Sequence, residues 1–338
     1  MPFQPNFRAE ALTSGARAKL GAMADALADA APLLTFPSGD AFCAARLFLP
    51  SLASRNLPCV VLANGFSGTM DWIVPDFAAR FADAGIAALV FDYRHLGQSP
   101  GEPRQLVDVR RQREDLRAAI AFCRRHPALD PGRIALWGTS LGGSHVVEVA
   151  AADSGIAAVV CNMPALDALR GANVQAKLAR AGMGRAPLAR TSLRLLAAAL
   201  WDAVRGAYDA APRYLAVYGD PGRAFFTDPA LAERFRAAEA GAPTWRNRVA
   251  ARFLLQAPRY RAGTLGRMAA PVLFTLADDD VEVSAAFIRD VAAESPRSEV
   301  REYPGGHFDL YHGARFEEVA ADQAAFLRRV LLAEGRPT

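Results

Sequence analysis

The segment at residues 133–152 constrains the fold more than any other part of the chain. The apolar run at 133–137 is typical of a buried parallel strand, and residues 141–152 continue as a small, largely apolar helix. Between them stands Gly-Thr-Ser-Leu-Gly at 138–142. A serine held in a strained turn leaves no room for Cβ atoms two residues to either side, which accounts for both glycines. The sequence therefore predicts a strand–turn–helix unit with Ser140 at the turn.

Such a turn gives Ser140 the position of a nucleophile. Its Oγ is expected to project beyond the carboxyl end of the strand, and the N–H of Leu141, at the start of the helix, could stabilise an oxyanion. An isolated Gly-x-Ser-x-Gly sequence is a weak indicator, because ordinary turns produce it too. The interpretation therefore depends on finding a base and an acid elsewhere in the chain.

The rest of the chain alternates between apolar strands and amphipathic helices. Strands are predicted at 33–36, 41–49, 59–63, 86–91, 156–161, 271–276 and 298–303, and helices at 74–84, 105–125 and 316–332. The first two strands flank Ser-Gly-Asp at 38–40, a turn signal for an antiparallel pair. The alternation predicts an α/β fold with a mostly parallel central sheet and helices on both faces.

Two segments fall outside this alternation. Residues 165–265 contain helical stretches broken by glycine-rich turns, and they predict a helical cap inserted into the sheet domain. Residues 1–31 predict an alanine-rich, amphipathic helical extension. The predicted α/β core then consists of residues 32–164 and 266–338.

Composition narrows the class of protein. Of the 338 residues, 52% are hydrophobic and 22% are charged, as in a globular protein with a large core. No apolar stretch reaches the length of a membrane span, and the first ten residues do not resemble a secretion signal. Four widely spaced cysteines in apolar segments predict buried thiols, so we expect a protein of the reducing cytoplasm.

A serine nucleophile needs a histidine base, and the chain has five histidines. His307 is the best candidate because it follows the last predicted strand, in a loop that can reach the carboxyl edge of the sheet. His312 lies nearby but towards the final helix. His95 ends another strand and is a candidate lining residue, whereas His126 is expected at a helix end and His145 in the packing.

The base needs an acid, expected at the end of the strand before His307. Residues 278–280 are three consecutive aspartates at that position, and capping of a helix near Ser284 is their alternative role. With Asp280 as the acid, the chain order is Ser140, Asp280, His307, which is the order of nucleophile, acid and base in α/β hydrolases.

The chain resembles the α/β-hydrolase superfamily from about Leu33 onwards. Within it, the dienelactone-hydrolase and dipeptidyl-peptidase-like branch is the most similar, through the motifs at 64–68 (NGFSG), 91–94 (FDYR), 138–143 (GTSLGG) and 305–309 (GGHFD). The resemblance implies a Ser-His-Asp catalytic triad without a metal or an organic cofactor. It also implies that the N–H groups of Phe66 and Leu141 form the oxyanion hole.

The resemblance also selects among the three aspartates. In such families the acid is the fourth residue of Gly-x-x-Asp-x-x-Val, which corresponds here to Asp280 with Ala277 in place of the glycine. The oxyanion loop departs from the pattern as well, because Asn64 stands where His is usual. The backbone donors survive this difference, whereas the rigidity of the loop depends on what Asn64 contacts.

The function implied by the resemblance is hydrolysis of a carboxylic ester or lactone through an acyl-enzyme. The main alternative is an acyltransferase or thioesterase acting on an acyl or polyketide group carried by coenzyme A or a carrier protein, because fungal polyketide transferases have similar motifs. Peptide or amide cleavage and a non-catalytic binding role are disfavoured. We expect a small-molecule acyl substrate and neither a nucleic acid nor a membrane partner, and the oligomeric state stays open.

Charge is distributed unevenly along the chain. Residues 165–265 carry 16 Lys and Arg against seven acids, whereas the remainder carries 23 against 28. A positive cap could steer an anionic ligand such as a carboxylated acyl group, a coenzyme A phosphate or an acidic carrier protein. The alternative is that the arginines decorate solvated helices.

Overall fold

An eight-stranded sheet forms the centre of the computed structural model, which describes residues 31–51, 55–173 and 185–333. Its strands are β1 (Leu33–Ser38), β2 (Ala41–Phe48), β3 (Leu57–Ala63), β4 (Ala87–Phe91), β5 (Leu129–Thr139), β6 (Ala158–Asn162), β10 (Val272–Ala277) and β11 (Ser298–Tyr303). Their spatial order is β1-β2-β4-β3-β5-β6-β10-β11. The β1–β2 and β2–β4 pairs are antiparallel and the other pairs are parallel, which confirms the predicted fold class.

Helices pack on both faces of this sheet. On one face lie α1 (Val74–Asp83) and α7 (Gly313–Leu331), and on the other lie α2 (Val109–Arg125), α3 (Leu141–Ala150) and α6 (Ala285–Ala292). The two faces have separate apolar cores. Burial of the apolar sides of these helices against the sheet supplies the main driving force for the layered arrangement.

Helix α2 begins later than the sequence predicts, at residue 109 instead of 105. The carboxylate of Asp108 accepts hydrogen bonds from the backbone N–H groups of Arg110 and Arg111 at 3.0 and 3.1 Å. This is an N-cap, which fixes the first turn of the helix and leaves the preceding residues as a loop.

The inserted segment contains more than the predicted helices. Helices α4 (Arg185–Ala207) and α5 (Pro229–Gly241) are accompanied by a small sheet of order β8-β7-β9, formed by β7 (Tyr214–Tyr218), β8 (Ala224–Phe226) and β9 (Val249–Ala250). The segment is therefore mixed α and β, whereas a purely helical cap was expected. The division of the chain into a core and a cap at 165–265 stays a prediction.

Two further features bear on the sequence expectations. All four cysteines are free and buried, although Cys59 and Cys123 have their sulfur atoms 3.8 Å apart. None of the helices in the described part of the chain is both long and apolar enough to cross a membrane. The helical extension predicted at 1–31 lies outside the described residues except for Ala31.

The sheet brings distant parts of the chain to one edge. Strands β3, β5, β10 and β11 are parallel, so their carboxyl ends meet at the same side of the molecule. The loops that follow these four strands contain Phe66, Ser140, Asp280 and His307. Every residue predicted for the site except Leu141, which begins α3, thus comes from a strand-end loop.

Candidate active site

Ser140 adopts the strained turn conformation predicted for it. Its φ of 49° and ψ of −117° lie where non-glycine residues are rare, and it stands between the last residue of β5 and the first of α3. A Cβ on Gly138 would collide with the carbonyl of Gly142, and a Cβ on Gly142 would collide with the carbonyls of Ala63 and Asn64. The second glycine is thus required by the loop after β3, which passes directly against the turn.

His307 and Asp280 are in direct contact. The Nδ1 atom of His307 lies 2.7 Å from Oδ2 of Asp280, and both side chains are buried. The other carboxylate oxygen, Oδ1, accepts the N–H groups of Glu282 and Val283 at 2.8 and 2.9 Å. An ionised carboxylate only accepts hydrogen bonds, so His307 must carry a proton on Nδ1, and Nε2 is then the ring nitrogen with the lone pair that can act as a base.

The first of the three aspartates has a different task. Oδ1 of Asp278 accepts the N–H of Gly305 at 3.0 Å, which ties the loop after β10 to the loop that carries His307. The carboxylate hydrogen-bonded to the imidazole belongs to Asp280, the residue selected by the family resemblance. Asp280 has this contact although residue 277 is alanine where the family pattern has glycine.

Ser140, His307 and Phe66 line one pocket at the carboxyl edge of the sheet. Half of its lining residues are Phe, Trp or Tyr, namely Phe66, Trp72, Phe226, Phe235, Phe308 and Tyr311. The inserted segment supplies Phe226 and Phe235, and it also places the rings of Phe225 and Phe253 on Phe66 with centroids 4.7 Å away in each case. Among the described lining residues, His307 is the one titratable group apart from the hydroxyls, so the pocket is apolar.

Neither predicted oxyanion donor has a protein acceptor among the residues that the structure describes. Leu141 is the first residue of α3, where N–H groups have no carbonyl partner within the helix. The N–H of Phe66 donates to no acceptor within the described part of the chain. Both residues therefore have a backbone donor available beside Ser140.

Asn64 explains how the loop stays rigid without the usual histidine. Its Nδ2 donates to the carbonyl of Thr69 at 2.6 Å, and its Oδ1 accepts the N–H of Gly65 at 2.8 Å. The side chain is buried inside the loop, and a Cβ on Gly68 would collide with it. The asparagine is thus an internal clamp that fixes the turn leading to Phe66.

A buried polar network under the turn was not predicted. Oγ1 of Thr139 lies 2.6 Å from the hydroxyl of Tyr311, and the Nδ2 of Asn162 donates to the same Thr139 oxygen at 3.3 Å. The amide of Gln323 then donates to Oδ1 of Asn162 at 3.0 Å and accepts the indole N–H of Trp137 at 2.8 Å. The network joins β5, β6 and α7 to the pocket wall. Polar residues at the ends of otherwise apolar strands were its only sequence signal.

Asp92 is a second unpredicted buried carboxyl. Its two oxygens accept the N–H groups of Met70 and Gln98, each at 2.7 Å, which joins the loop after β3 to the loop after β4. Burial raises the pKa of Asp92 to about 7, although these two backbone donors oppose the shift. The side chain therefore supports the oxyanion loop from behind.

The remaining histidines lie outside the pocket. His95, a candidate lining residue, has Nδ1 3.1 Å from the carbonyl of Pro103 and Nε2 3.2 Å from Arg111, and burial lowers its pKa. His126 follows α2 as its C-cap and His312 precedes α7, as expected. His145 is fully buried against Gln112, and burial lowers its pKa to about 3, as expected for a packing residue.

Among the described residues, no cluster of His, Cys, Asp or Glu could hold a metal ion.

Comparisons with known proteins give a family match and two similar curated proteins. Residues 55–318 match the family described as serine aminopeptidase, S33. The chain is 38% identical over 305 residues to the quorum-quenching protein AidA of Acinetobacter baumannii, covering 89% of this chain and 96% of that protein. It is 37% identical over 115 residues to the polyketide transferase grgF of a Penicillium species, covering 34% of this chain and 39% of that protein.

Solved structures show the same fold over nearly the whole chain. The crystal structure of the α/β hydrolase GrgF from Penicillium superposes with a TM-score of 0.72 at 25% identity, covering 90% of this chain and 99% of that one. A soluble variant of the monoglyceride lipase of Saccharomyces cerevisiae superposes with a TM-score of 0.63 at 14% identity, covering 89% and 96%. The second likeness concerns the fold alone.

Proposed function

Because the chain belongs to the serine aminopeptidase S33 family, within the α/β-hydrolase superfamily, we propose that it is a serine hydrolase that cleaves a carboxylic ester or lactone through an acyl-enzyme. The observation that carries the proposal is the hydrogen bond between His307 and Asp280 at a pocket that Ser140 also lines. A nucleophile, a base and an oriented acid are the minimum set for this chemistry.

In the proposed reaction, Oγ of Ser140 attacks the acyl carbonyl carbon while Nε2 of His307 takes its proton. The negative oxygen of the tetrahedral intermediate accepts hydrogen bonds from the N–H groups of Phe66 and Leu141. His307 then gives the proton to the leaving alcohol, and the acyl group stays on Ser140. Water repeats the sequence and releases the acid. Asp280 holds the imidazole in the required tautomer throughout.

The pocket wall supports an apolar acyl group as the substrate. A ring of aromatic side chains offers dispersion and apolar burial and no partner for a charge. The anionic preference predicted from the charge of residues 165–265 therefore applies to parts of a ligand that lie outside this pocket. The aminopeptidase activity in the family name would need an acidic side chain for the free amine, and the described lining residues include none.

A second candidate is thioester chemistry. The polyketide transferase of Penicillium and the thiohydrolase aneE of Aspergillus aculeatus are each 37% identical to this chain over about a third of its length. The same nucleophile and base would take an acyl group from sulfur and pass it to water or to another acceptor. Quorum quenching, the activity in the name of the Acinetobacter relative, is also an activity that an ester- or lactone-cleaving enzyme could perform.

The two candidates separate in one partition experiment. The protein is given matched butyryl esters and butyryl thioesters, with and without an added alcohol, and the free acid and the transfer product are measured. We expect an acid-producing enzyme with higher kcat/KM for the ester or for a lactone of similar size. A dominant transfer product, or activity confined to thioesters, would favour the second candidate. Absence of turnover on every acyl compound would reject both.

A further inference from the structure

Three arginines on one face of α2 line a groove away from the active site. Arg110, Arg113 and Arg117 are spaced three and four residues apart, so their side chains lie along the same side of the helix. Together with Asp108, Val109 and Gln256 they line a groove of about 500 Å³. Gln256 comes from the segment after β9, so the groove lies between the core and the inserted segment.

These guanidinium groups lack the partners that other arginines have. Within the described residues, no hydrogen bond or ion pair engages the guanidinium of Arg110, Arg113 or Arg117, nor that of Arg261 nearby. By contrast, Arg94 and Arg252 are bound to buried aspartates. The arginines of this chain therefore differ in environment, and not all of them are solvated surface charges.

Arg113 is the most unusual member of the group. Its Nε is buried and has no hydrogen-bond partner. Burial lowers the pKa of its guanidinium, and the positive charges of Arg117 and Arg261 lower it further, against the opposing effect of Glu148. A buried donor without an acceptor costs free energy, and an anion in the groove would offset the repulsion between the guanidinium of Arg113 and the like charges around it.

The arginines would carry the binding, because the end of the helix is already occupied. The N–H groups of Arg110 and Arg111 donate to the Asp108 side chain, so the cap leaves little of the helix terminus for a ligand. Guanidinium groups bind phosphate through paired N–H donors. They bind phosphate more tightly than they bind a single carboxylate, because phosphate has more oxygen atoms and more negative charge.

One lining residue of the groove is a chain neighbour of a residue that packs at the pocket. Gln256 is three residues from Phe253, whose ring packs on Phe66. Three residues span at most about 10 Å, so the Cα atoms of Gln256 and Phe253 lie within about that distance of each other.

We propose that this groove binds the phosphate group of a phosphorylated ligand, with Arg113 at its centre and Arg117 and Arg110 beside it. The inference does not depend on the serine-hydrolase chemistry. Two ligands share the required chemistry: free coenzyme A, and the phosphopantetheine arm of a carrier protein. The positive charge that selects them lies mainly on α2 of the core, with Arg261 as a contribution from the inserted segment.

Isothermal titration at low ionic strength tests the site with pyrophosphate, coenzyme A and phosphate-free pantetheine as probes. We expect pyrophosphate and coenzyme A to bind and pantetheine not to bind. Arg113→Gln and Arg117→Gln should each weaken binding about tenfold or more, because each removes a hydrogen bond between ionised partners. A holo carrier protein that binds more tightly than coenzyme A would identify the carrier as the source of the phosphate.

Arg125→Gln is the matched control. Arg125 lies on the same helix, two turns beyond Arg117 and outside the groove, so binding should not change. Turnover of a neutral ester should also be unchanged in all three variants, and this readout separates loss of the site from loss of the fold. If Arg113→Gln does not fold, the exposed Arg117 still tests the site. The proposal fails if wild-type protein binds neither phosphate probe, or if Arg125→Gln weakens binding as much as Arg117→Gln does.

Discussion

Replacing Asp280 with asparagine should disable the enzyme without removing its shape. Asparagine has one oxygen and one NH₂ group, and the surrounding hydrogen bonds decide which of them takes the Oδ1 position and which takes the Oδ2 position of Asp280. The N–H groups of Glu282 and Val283 both point at the Oδ1 position. Turning the NH₂ group towards them would leave both donors without this acceptor, and the buried N–H of Val283 alone would cost roughly 1–3 kcal/mol. The amide oxygen therefore stays there, and the NH₂ group points at His307.

This orientation forces the wrong tautomer on the base. Nδ1 of His307 must then accept a hydrogen bond, so the imidazole proton lies on Nε2. A protonated Nε2 has no lone pair with which to accept the proton of Ser140. In the serine-protease precedent this change lowers kcat by about 10⁴. We expect a loss of that order for Asp280→Asn in kcat for a neutral ester, with a thermal unfolding midpoint within a few degrees of the wild type.

Asp278→Asn is the matched control, because its carboxylate binds the backbone of Gly305 and not the imidazole. We expect it to keep activity within about tenfold of the wild type, since removing one hydrogen bond near the site costs about 1 kcal/mol. The reasoning is refuted if Asp280→Asn retains more than a tenth of the wild-type kcat. It is also refuted if Asp278→Asn is the more damaging of the two.

Three other predictions follow from the buried polar groups and the charge distribution. Gln323→Leu should destabilise the fold by about 2 kcal/mol in urea unfolding, because it leaves the buried indole N–H of Trp137 without an acceptor, whereas the oxygen of Asn162 keeps the hydroxyl of Thr275 as a donor; a loss under 1 kcal/mol would contradict this. Since the raised pKa of Asp92 means that the folded state binds its proton more tightly, the stability that this group contributes is present at low pH and is lost from about pH 4 to 7; the free energy of unfolding of the wild type minus that of Asp92→Asn should therefore fall over this range, and a constant difference would contradict this. If the arginine-rich segment steers ligands, kcat/KM for an anionic ester should fall more steeply with salt than for a matched neutral ester; parallel curves would reject steering.

Local sequence was sufficient for the turn and for the mostly parallel class of the sheet. The glycines around Ser140 are required by backbone contacts that any strand–turn–helix of this kind makes, so the pentapeptide and its apolar flanks predict the geometry. The choice of Asp280 needed the family resemblance, because three adjacent aspartates are equivalent in composition and only the backbone donors beside them distinguish their orientation.

Other parts of the structure depend on contacts between distant residues. Strands β8 and β9 are three and two residues long, too short for a periodic pattern, and they exist because β7 lies between them. Likewise, Asn162 and Gln323 meet only because the sheet register brings β6 under α7. Counting charges could not show that Arg252 is paired with Asp202, whereas Nε of Arg113 has no hydrogen-bond partner within the described part of the chain.

The central claim is that Ser140 is the acylated nucleophile. A fluorophosphonate reagent should label the wild-type protein once, and peptide mass spectrometry should place the adduct on Ser140. Ser140→Ala should not take up the label and should not turn over any ester. Ser144→Ala, about one turn further along the chain in α3, should take up the label and turn over esters. Ester turnover near the wild-type rate in Ser140→Ala, or an adduct on another residue, would contradict the account.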